Sequence, residues 1–363
     1  MRILIIANSS GGLYSFRGMF MQALISEGND LYAVTPIADK REEIEKIGVS
    51  LIDIKMDRRG INPLKDVSLL FEYRKLVKKI KPELIITYTI KPNIYGGIVA
   101  RITRTCYAVN ITGLGTAFER DGFIKKVAIM LNKLGLKKAK TVFFENKANL
   151  DFFVNEGIIK SNQAHLLHGA GVDIDHFSIK KYPEDNDGFK FLFIGRIMKE
   201  KGIIELIDAM KLLRSNGIKC SLSVLGGFDE EELQGLVREC SDEGWMHYHG
   251  IQSDVRPYIE QAHCFVLPSY HEGMANTNLE CAACGRPIIT SNIPGCKEAV
   301  INGVSGFLCE SKDANSLYNA MLKICKMSNK EREEMGIAGR KHVESVFDKR
   351  KVVEDTIKTL LED

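Results

Sequence analysis

A chain of 363 residues exceeds one ordinary domain and suits two, and 45% hydrophobic with 27% charged residues argues against a disordered or fibrous protein. No stretch approaches 18 consecutive apolar residues, so the pattern contains no spanning helix, and the short apolar run after Met1 turns polar at Asn8, too early for a signal peptide. The net charge of +3 is unevenly spread: residues 1–170 carry 26 Lys and Arg against 16 Asp and Glu, the remainder 24 against 31, which gives the first half a cationic surface suited to an anionic partner.

The first half alternates strand and helix signals. Strands are predicted at Ile3–Ala7, Leu31–Thr35, Leu51–Ile54, Leu84–Tyr88, Tyr107–Ile111 and Thr141–Phe144. Helices are predicted at Phe16–Glu27, Lys40–Ile47, Pro63–Ile80, Asn93–Thr103 and Lys125–Leu136. Such alternation, with continuous apolar strands, specifies a parallel sheet wrapped by helices. Turn chemistry over residues 169–190 marks a boundary, after which the alternation restarts at Phe189–Ile194 and runs to Pro287–Thr290. The tail, Ser316–Met327 and Arg332–Leu361, reads as helical. The expectation is an α/β protein with two Rossmann-like, doubly wound domains facing across a cleft. They span residues 1–170 and 171–345, with a terminal helix near 346–363 free to pack back on the first.

Two constellations carry chemistry. Gly195-Arg196-Ile-Met-Lys-Glu-Lys201-Gly202 follows a strand and precedes a helix. Gly lets the backbone approach a ligand, Arg offers a planar fork and Lys a point charge, and the helix N-terminus adds its dipole, which together suit a diphosphate. In Glu272-Gly273-Met274-Ala275-Asn276-Thr277-Asn-Leu-Glu280, two carboxylates eight residues apart do not share a face of one helix. A loop running into a helix resolves this, with Asn276, Thr277 or Asn278 as cap and Glu272 in the loop, free to meet a ligand.

These segments resemble the family 4 retaining glycosyltransferases of the GT-B fold. Glu272 to Pro287 matches that family's Glu-x7-Glu signature and its Gly-x-Pro, while Leu225-Gly226-Gly227, His249-Gly250 to Val255, and Gly295 to Gly306 match further segments. The resemblance implies a UDP-linked sugar-nucleotide donor, and no cofactor or metal. It implies that Arg196 and Lys201 hold the diphosphate, Glu280 the ribose and Glu272 the donor sugar, with Gly12, Gly195, Gly227, Gly250, Val255 and Gly273–Thr277 lining the site. Met274-Ala275 departs from the family's usual Phe-Pro. The acceptor side is expected at Lys91, Asn93, Gly113, Gly115 and Thr116, the acceptor itself being a polyprenyl-diphosphate-linked sugar. The family's histidine near that side has no counterpart, so no general base is assigned.

Residues 120–140 hold seven basic residues, one acidic residue and an apolar stripe of Phe123, Ile124, Val127, Met130, Leu131, Leu134 and Leu136. The pattern suits a helix on an anionic membrane surface, or one packed on its own sheet. A peripheral protein at the inner face of the cell membrane follows as the expectation. Asp173-Ile-Asp175 reads as a turn rather than a metal motif, and Cys281-Ala-Ala-Cys284 as helix packing rather than a zinc pair. Three other readings stay open: an epimerase of UDP-N-acetylhexosamines on the same fold, a non-catalytic sugar-nucleotide binder, and a NAD-dependent oxidoreductase, which lacks its Gly-x-Gly-x-x-Gly fingerprint.

Overall fold

Strands covered by helices on both faces need apolar side chains on both, and the chain supplies them. The computed structural model, which describes residues 1–57, 63–115, 118 and 122–361, divides into two compact units, Met1–Ala170 with Lys349–Asp363, and Gly171–Asp348.

The first unit runs β1 (Arg2–Ile6), α1 (Ser10–Ser26), β2 (Asp30–Thr35), α2 (Arg41–Lys46), β3 (Ser50–Asp53), α3 (Pro63–Ile80) and β4 (Leu84–Tyr88). A π-helical turn, Pro92–Gly96, then leads into α4 (Gly97–Thr103), followed by β5 (Cys106–Ile111), α5 (Phe123–Leu136), β6 (Thr141–Phe144), α6 (Lys147–Asn155) and β7 (Ala164–Leu166). The sheet order is β3-β2-β1-β4-β5-β6-β7, every pairing parallel, with Ile3 beside Leu84 and Ile6 beside Thr87 in register. Alternate residues feed opposite faces: Leu4, Ile6, Ile85 and Val109 enter one core, Ile3, Ile5, Ile86 and Ala108 the other.

Two local outcomes differ from the sequence reading. Helix α1 begins at Ser10, not Phe16, because the Ser9 hydroxyl caps it by accepting from the Gly12 amide at 3.3 Å; Gly11 and Gly12 therefore lie inside the first turn, not in a loop. In α5 the buried residues are Asn132, Gly135 and Leu136, while Phe123 (80% exposed), Ile124, Met130 and Leu134 face outward. The cause is the contact made by Gly135. A Cβ there would lie 2.8 Å from the Ile94 backbone, and the Tyr107 hydroxyl donates to the Gly135 carbonyl at 2.8 Å, so the glycine edge is drawn inward. Four members of the apolar stripe are thus left exposed, while Leu136 is buried and Val127 and Leu131 are half-buried.

The second unit runs β8 (Phe189–Ile194), α7 (Ile203–Ser215), β9 (Cys220–Leu225), α8 (Leu233–Asp242), β10 (Met246–Gly250), α9 (Arg256–Gln261) and β11 (Cys264–Leu267). It continues with α10 (Asn276–Ala283), β12 (Ile288–Ser291), β13 (Gly306–Cys309), α11 (Ala314–Lys326) and α12 (Asn329–Val346). Its sheet, β10-β9-β8-β11-β12-β13, is again wholly parallel, and one continuous core spans both faces. Each unit thus has the strand order of a doubly wound Rossmann-like sheet.

The single tail helix expected over Arg332–Leu361 is interrupted. Buried Phe347 ends α12 and accepts a backbone hydrogen bond from Val172 at 2.8 Å, after which α13 (Lys349–Leu361) returns to the first unit. There Leu360 joins the core, the Lys140 ammonium donates to the Leu360 carbonyl at 3.2 Å, and His165 Nε2 lies 2.9 Å from Asp355.

Candidate active site

In a doubly wound sheet, ligands gather beyond the carboxyl ends of the strands where the order reverses. In the second unit that point lies between β8 and β11. Chain leaving β8 supplies Gly195 to Gly202, and chain leaving β11 supplies Pro268 to Ala275. The two segments meet. The Lys201 ammonium bonds Glu272 Oε1, which also accepts from the buried Ser269 hydroxyl at 2.8 Å. Glu272 is therefore held in a partly buried ion pair rather than free in its loop. Arg196 is half exposed and donates from Nη1 to Asp229 Oδ2 at 2.8 Å.

Gly202 makes this geometry possible. It has φ +71° at the N-cap of α7, and a Cβ would collide with the Pro268 carbonyl. No side chain caps α7, so its first amides and their dipole stand beside Lys201. Tyr270, on the facing loop, donates to Glu205 in that first turn at 2.6 Å, and burial followed by this carboxylate pushes its phenol well above the usual range. The Glu272 loop is pinned from below by Ala275 N donating to Gly295 O at 2.7 Å.

None of the three expected caps closes α10. Ala275 occupies the cap position, Asn276 is the first helical residue, and the buried Asn278 amide is drawn instead to Thr290 Oγ1 at 3.1 Å on β12. Asn276 keeps a buried carboxamide oxygen with no partner. Thr277 is half-buried; Met274 and Ala275 are buried in the hydrophobic core, so only their backbone can meet a ligand. Gly273 is buried in the loop, and Glu280 sits half-buried within α10.

Gly227 and Gly250 lie beyond β9 and at the end of β10, where Gly227 O accepts from Ile197 N and Gly250 O from Gly226 N, each at 2.8 Å. Val255 precedes α9 beside Asp254, whose carboxyl the bidentate Arg256 hydrogen bonds hold at about 2.

Gly12 lies in the first unit with the acceptor-side residues. Asn93 follows the end of β4, buried, with Nδ2 donating to Asn110 O at 2.8 Å. Lys91 is paired with Asp66 at 2.8 Å, not free. The Gly113–Gly115 turn follows β5 and touches the same segment, since a Cβ on Gly115 would lie 2.6 Å from Ile90. Thr116, like Arg120 and Asp121 of the basic stretch, lies outside the described residues.

The two doubtful metal motifs have other work. Asp173 Oδ1 accepts from the amides of Asp175 at 3.1 Å and His176 at 2.9 Å, a side-chain-closed turn. Cys281, in α10, and Cys284, at its C-cap, are both buried, and burial pushes the Cys284 thiol up to about 11. Among the described residues no three His, Cys, Asp or Glu side chains converge as a metal site.

Sequence reasoning missed Ser269 and Asp229. A serine three residues before Glu272 is a readable local signal; Asp229 comes from another strand end and leaves none.

The "Glycosyl transferase 4-like" family model covers residues 2–146 and "Glycosyl transferases group 1" covers residues 175–342. The N,N'-diacetylbacillosaminyl-diphospho-undecaprenol α-1,3-N-acetylgalactosaminyltransferase of Campylobacter jejuni is 27% identical over 87% of each chain. The UDP-Gal:α-D-GlcNAc-diphosphoundecaprenol α-1,3-galactosyltransferase of Escherichia coli is 26% identical over 73% of this chain and 72% of its own. Anabaena Alr3699/HepE, solved with UDP and glucose, superposes over the full length of both chains with a TM-score of 0.81 at 18% identity. With a 4-like domain in its first unit and a group 1 domain in its second, the chain belongs to the glycosyltransferases of the GT-B fold.

Proposed function

We propose that the protein transfers a hexose or N-acetylhexosamine, with retention, from a UDP-sugar to a polyprenyl-diphosphate-linked sugar during surface-polysaccharide assembly. One observation carries this: Arg196, Lys201, the uncapped start of α7 and the Glu272 loop all lie at the switch point of the second sheet. The relatives support the substrate classes, since the Campylobacter jejuni and Escherichia coli enzymes are named for undecaprenyl-diphosphate-linked acceptors and α-1,3 products, and the latter for a UDP-sugar.

As the glycosidic bond to the diphosphate breaks, negative charge builds on the leaving oxygen and positive charge on the anomeric carbon. Arg196 and Lys201 meet the first, each charge-assisted hydrogen bond contributing about 1.5–3 kcal/mol. Glu272 faces the second through the donor sugar, and Glu280 holds the ribose. With two fixed cations and a helix dipole on the diphosphate, the scheme calls for no metal. The acceptor hydroxyl approaches on the face the diphosphate leaves, and a departing phosphate oxygen takes its proton, which is why no general base is required.

The first unit serves the acceptor and the membrane. Phe123, Ile124, Met130 and Leu134 face outward, and Leu134 lines a groove of about 400 Å³ together with Ile98, Arg101, Ile102 and Lys138. An apolar strip with basic edges suits an anionic lipid surface, and no described helix is long and apolar enough to cross a membrane.

The test is NMR analysis of product formed from an α-linked UDP-sugar and an undecaprenyl-diphospho-sugar. An α-anomer supports retention; a β-anomer overturns it. Turnover of a UDP-N-acetylhexosamine into its epimer without acceptor would favour the epimerase instead.

A further inference from the structure

Helix and turn termini account for most of the left-handed backbone in this chain, with one exception. Among the described residues five that are not glycine have positive φ: Lys40, Lys81, Arg104 and Lys312, at 53–62°, and Thr89, at 73°. The first four are long, unbranched side chains. Thr89 is β-branched, the class for which this conformation is most strained. It is also the residue at which the chain turns sharply from β4 into helix, its carbonyl accepting from the Asn93 amide at 2.9 Å.

Its side chain is unsatisfied as well. Thr89 Oγ1 is buried without a hydrogen-bond partner, and so are Thr87 Oγ1 and Asn93 Oδ1 within the same seven-residue stretch. The three belong to one knot: Asn93 Nδ2 donates to Asn110 O at 2.8 Å, and Asn110 Nδ2 to Thr87 O at 3.3 Å. The helix that follows opens with a π-helical turn, Pro92–Gly96, a rare geometry that concentrates at functional sites. A strained backbone and orphaned polar atoms each cost stability, and they persist together where a ligand or mechanism uses them.

The location says which ligand. β4 and β1 are neighbours at the reversal of the first sheet's strand order, so Thr89 stands at the carboxyl-end switch point of that unit, the counterpart of the place Arg196 and Ser269 hold in the other. Beside it are Ile90, in contact with the Gly115 turn, and Lys91, already paired with Asp66. The neighbouring cation is thus committed to a carboxylate, and what remains unsatisfied is neutral: two hydroxyls and a carboxamide oxygen. That set recognises a polyol rather than a phosphate.

We infer that Thr89 is a substrate-contacting residue that positions the acceptor sugar, held in its strained turn so that its hydroxyl hydrogen-bonds an acceptor hydroxyl. This rests on the glycosyl-transfer reading above. It adds a residue outside the donor site and a reason for the strain.

Three variants separate the hydroxyl from the backbone. Thr89→Val keeps the shape and the strain but removes the hydroxyl; Thr89→Ser keeps the hydroxyl; Thr89→Gly removes both hydroxyl and strain. Transfer is measured from a panel of UDP-sugars to undecaprenyl-diphospho-linked N-acetylglucosamine, N-acetylgalactosamine and N,N'-diacetylbacillosamine in micelles, with UDP affinity and Tm recorded for each variant. The expected result is an acceptor KM raised about tenfold in Thr89→Val and Thr89→Gly, as for loss of a hydrogen bond. UDP affinity should be unchanged, Thr89→Ser should be close to wild type, and Tm should not be lowered in Thr89→Gly. An acceptor KM within about threefold of wild type in Thr89→Val, with wild-type transfer intact, overturns this inference alone. Failure of the wild-type chain to transfer any sugar to any of these acceptors overturns the reading it rests on.

Discussion

The pair between Lys201 and Glu272 makes an unusual prediction for Glu272→Gln. With side chains only 18% and 11% exposed, the pair is largely shielded from solvent, and a diphosphate arriving at Lys201 has to compete with the carboxylate already there. The amide keeps the shape and the Ser269 contact but cancels the charge. Releasing Lys201 from a pair worth about 1 kcal/mol should tighten binding of UDP alone by about fivefold. Transfer should move the other way. Loss of a charged partner for the donor sugar is worth about 1.5–3 kcal/mol, a fall of about 10- to 100-fold in kcat/KM. Calorimetric titration with UDP, paired with a turnover assay on the same preparation, reads both effects, and a Tm close to wild type excludes misfolding. UDP binding weakened in Glu272→Gln, with the fold intact, would refute the idea that Glu272 restrains Lys201.

Four further outcomes are open to measurement. Replacing Arg196 with Ala and Lys201 with Met together should weaken UDP binding by at least about 100-fold; affinity within threefold of wild type would remove the diphosphate assignment. Gly202→Ala should destabilise the second unit by about 2 kcal/mol or more, because neither its φ of +71° nor the Pro268 carbonyl accommodates a Cβ, and chemical denaturation would register it. His263 is fully buried, its Nδ1 accepts from the Lys190 amide at 3.0 Å, and burial holds the imidazole at about 4 against an ordinary 6.5. The unfolded chain therefore takes up this proton first, so stability is complete above pH 6.5 and falls by about 3 kcal/mol as pH drops to about 4; a flat urea-midpoint profile across that range would contradict the argument. Phe123→Asp with Ile124→Asp should abolish sedimentation with anionic liposomes and leave Tm unaltered, since both side chains are exposed; retained sedimentation would move the membrane contact elsewhere.

The two Rossmann-like sheets were legible because their strands are unbroken apolar runs separated by helical spacing, a pattern few other architectures share. Shorter elements were not. β7 has three residues and β13 begins at a glycine, too little sequence for a period to show. α6 went unread although Asn146 caps it, its amide oxygen accepting from Asn149 N at 2.9 Å. Helix boundaries slipped wherever tertiary contacts decided them, as at Phe347, where burial and one backbone hydrogen bond split a segment of continuous helical propensity.

At the site, local spacing revealed which residues follow strand ends. It did not reveal how they pair. The Lys201–Glu272 contact joins residues 71 apart, and Arg196 to Asp229 joins 33, distances at which a sequence carries no signal. The inward edge of α5 carried no readable signal for a similar reason. Its apolar stripe outweighs its glycine edge in any hydrophobic count, yet Gly135 permits a backbone approach that no larger residue could make.

The return of α13 makes the first unit discontinuous in sequence, with all of the second unit inserted between Ala170 and Lys349. During synthesis the amino-terminal half emerges first yet waits for the thirteen-residue α13, and the slot that receives Leu360 stays open to solvent until that helix has been made. A nascent chain stalled late would therefore expose greasy surface on its earliest-made portion, and severing the polypeptide once near residue 170 cannot yield two self-sufficient halves.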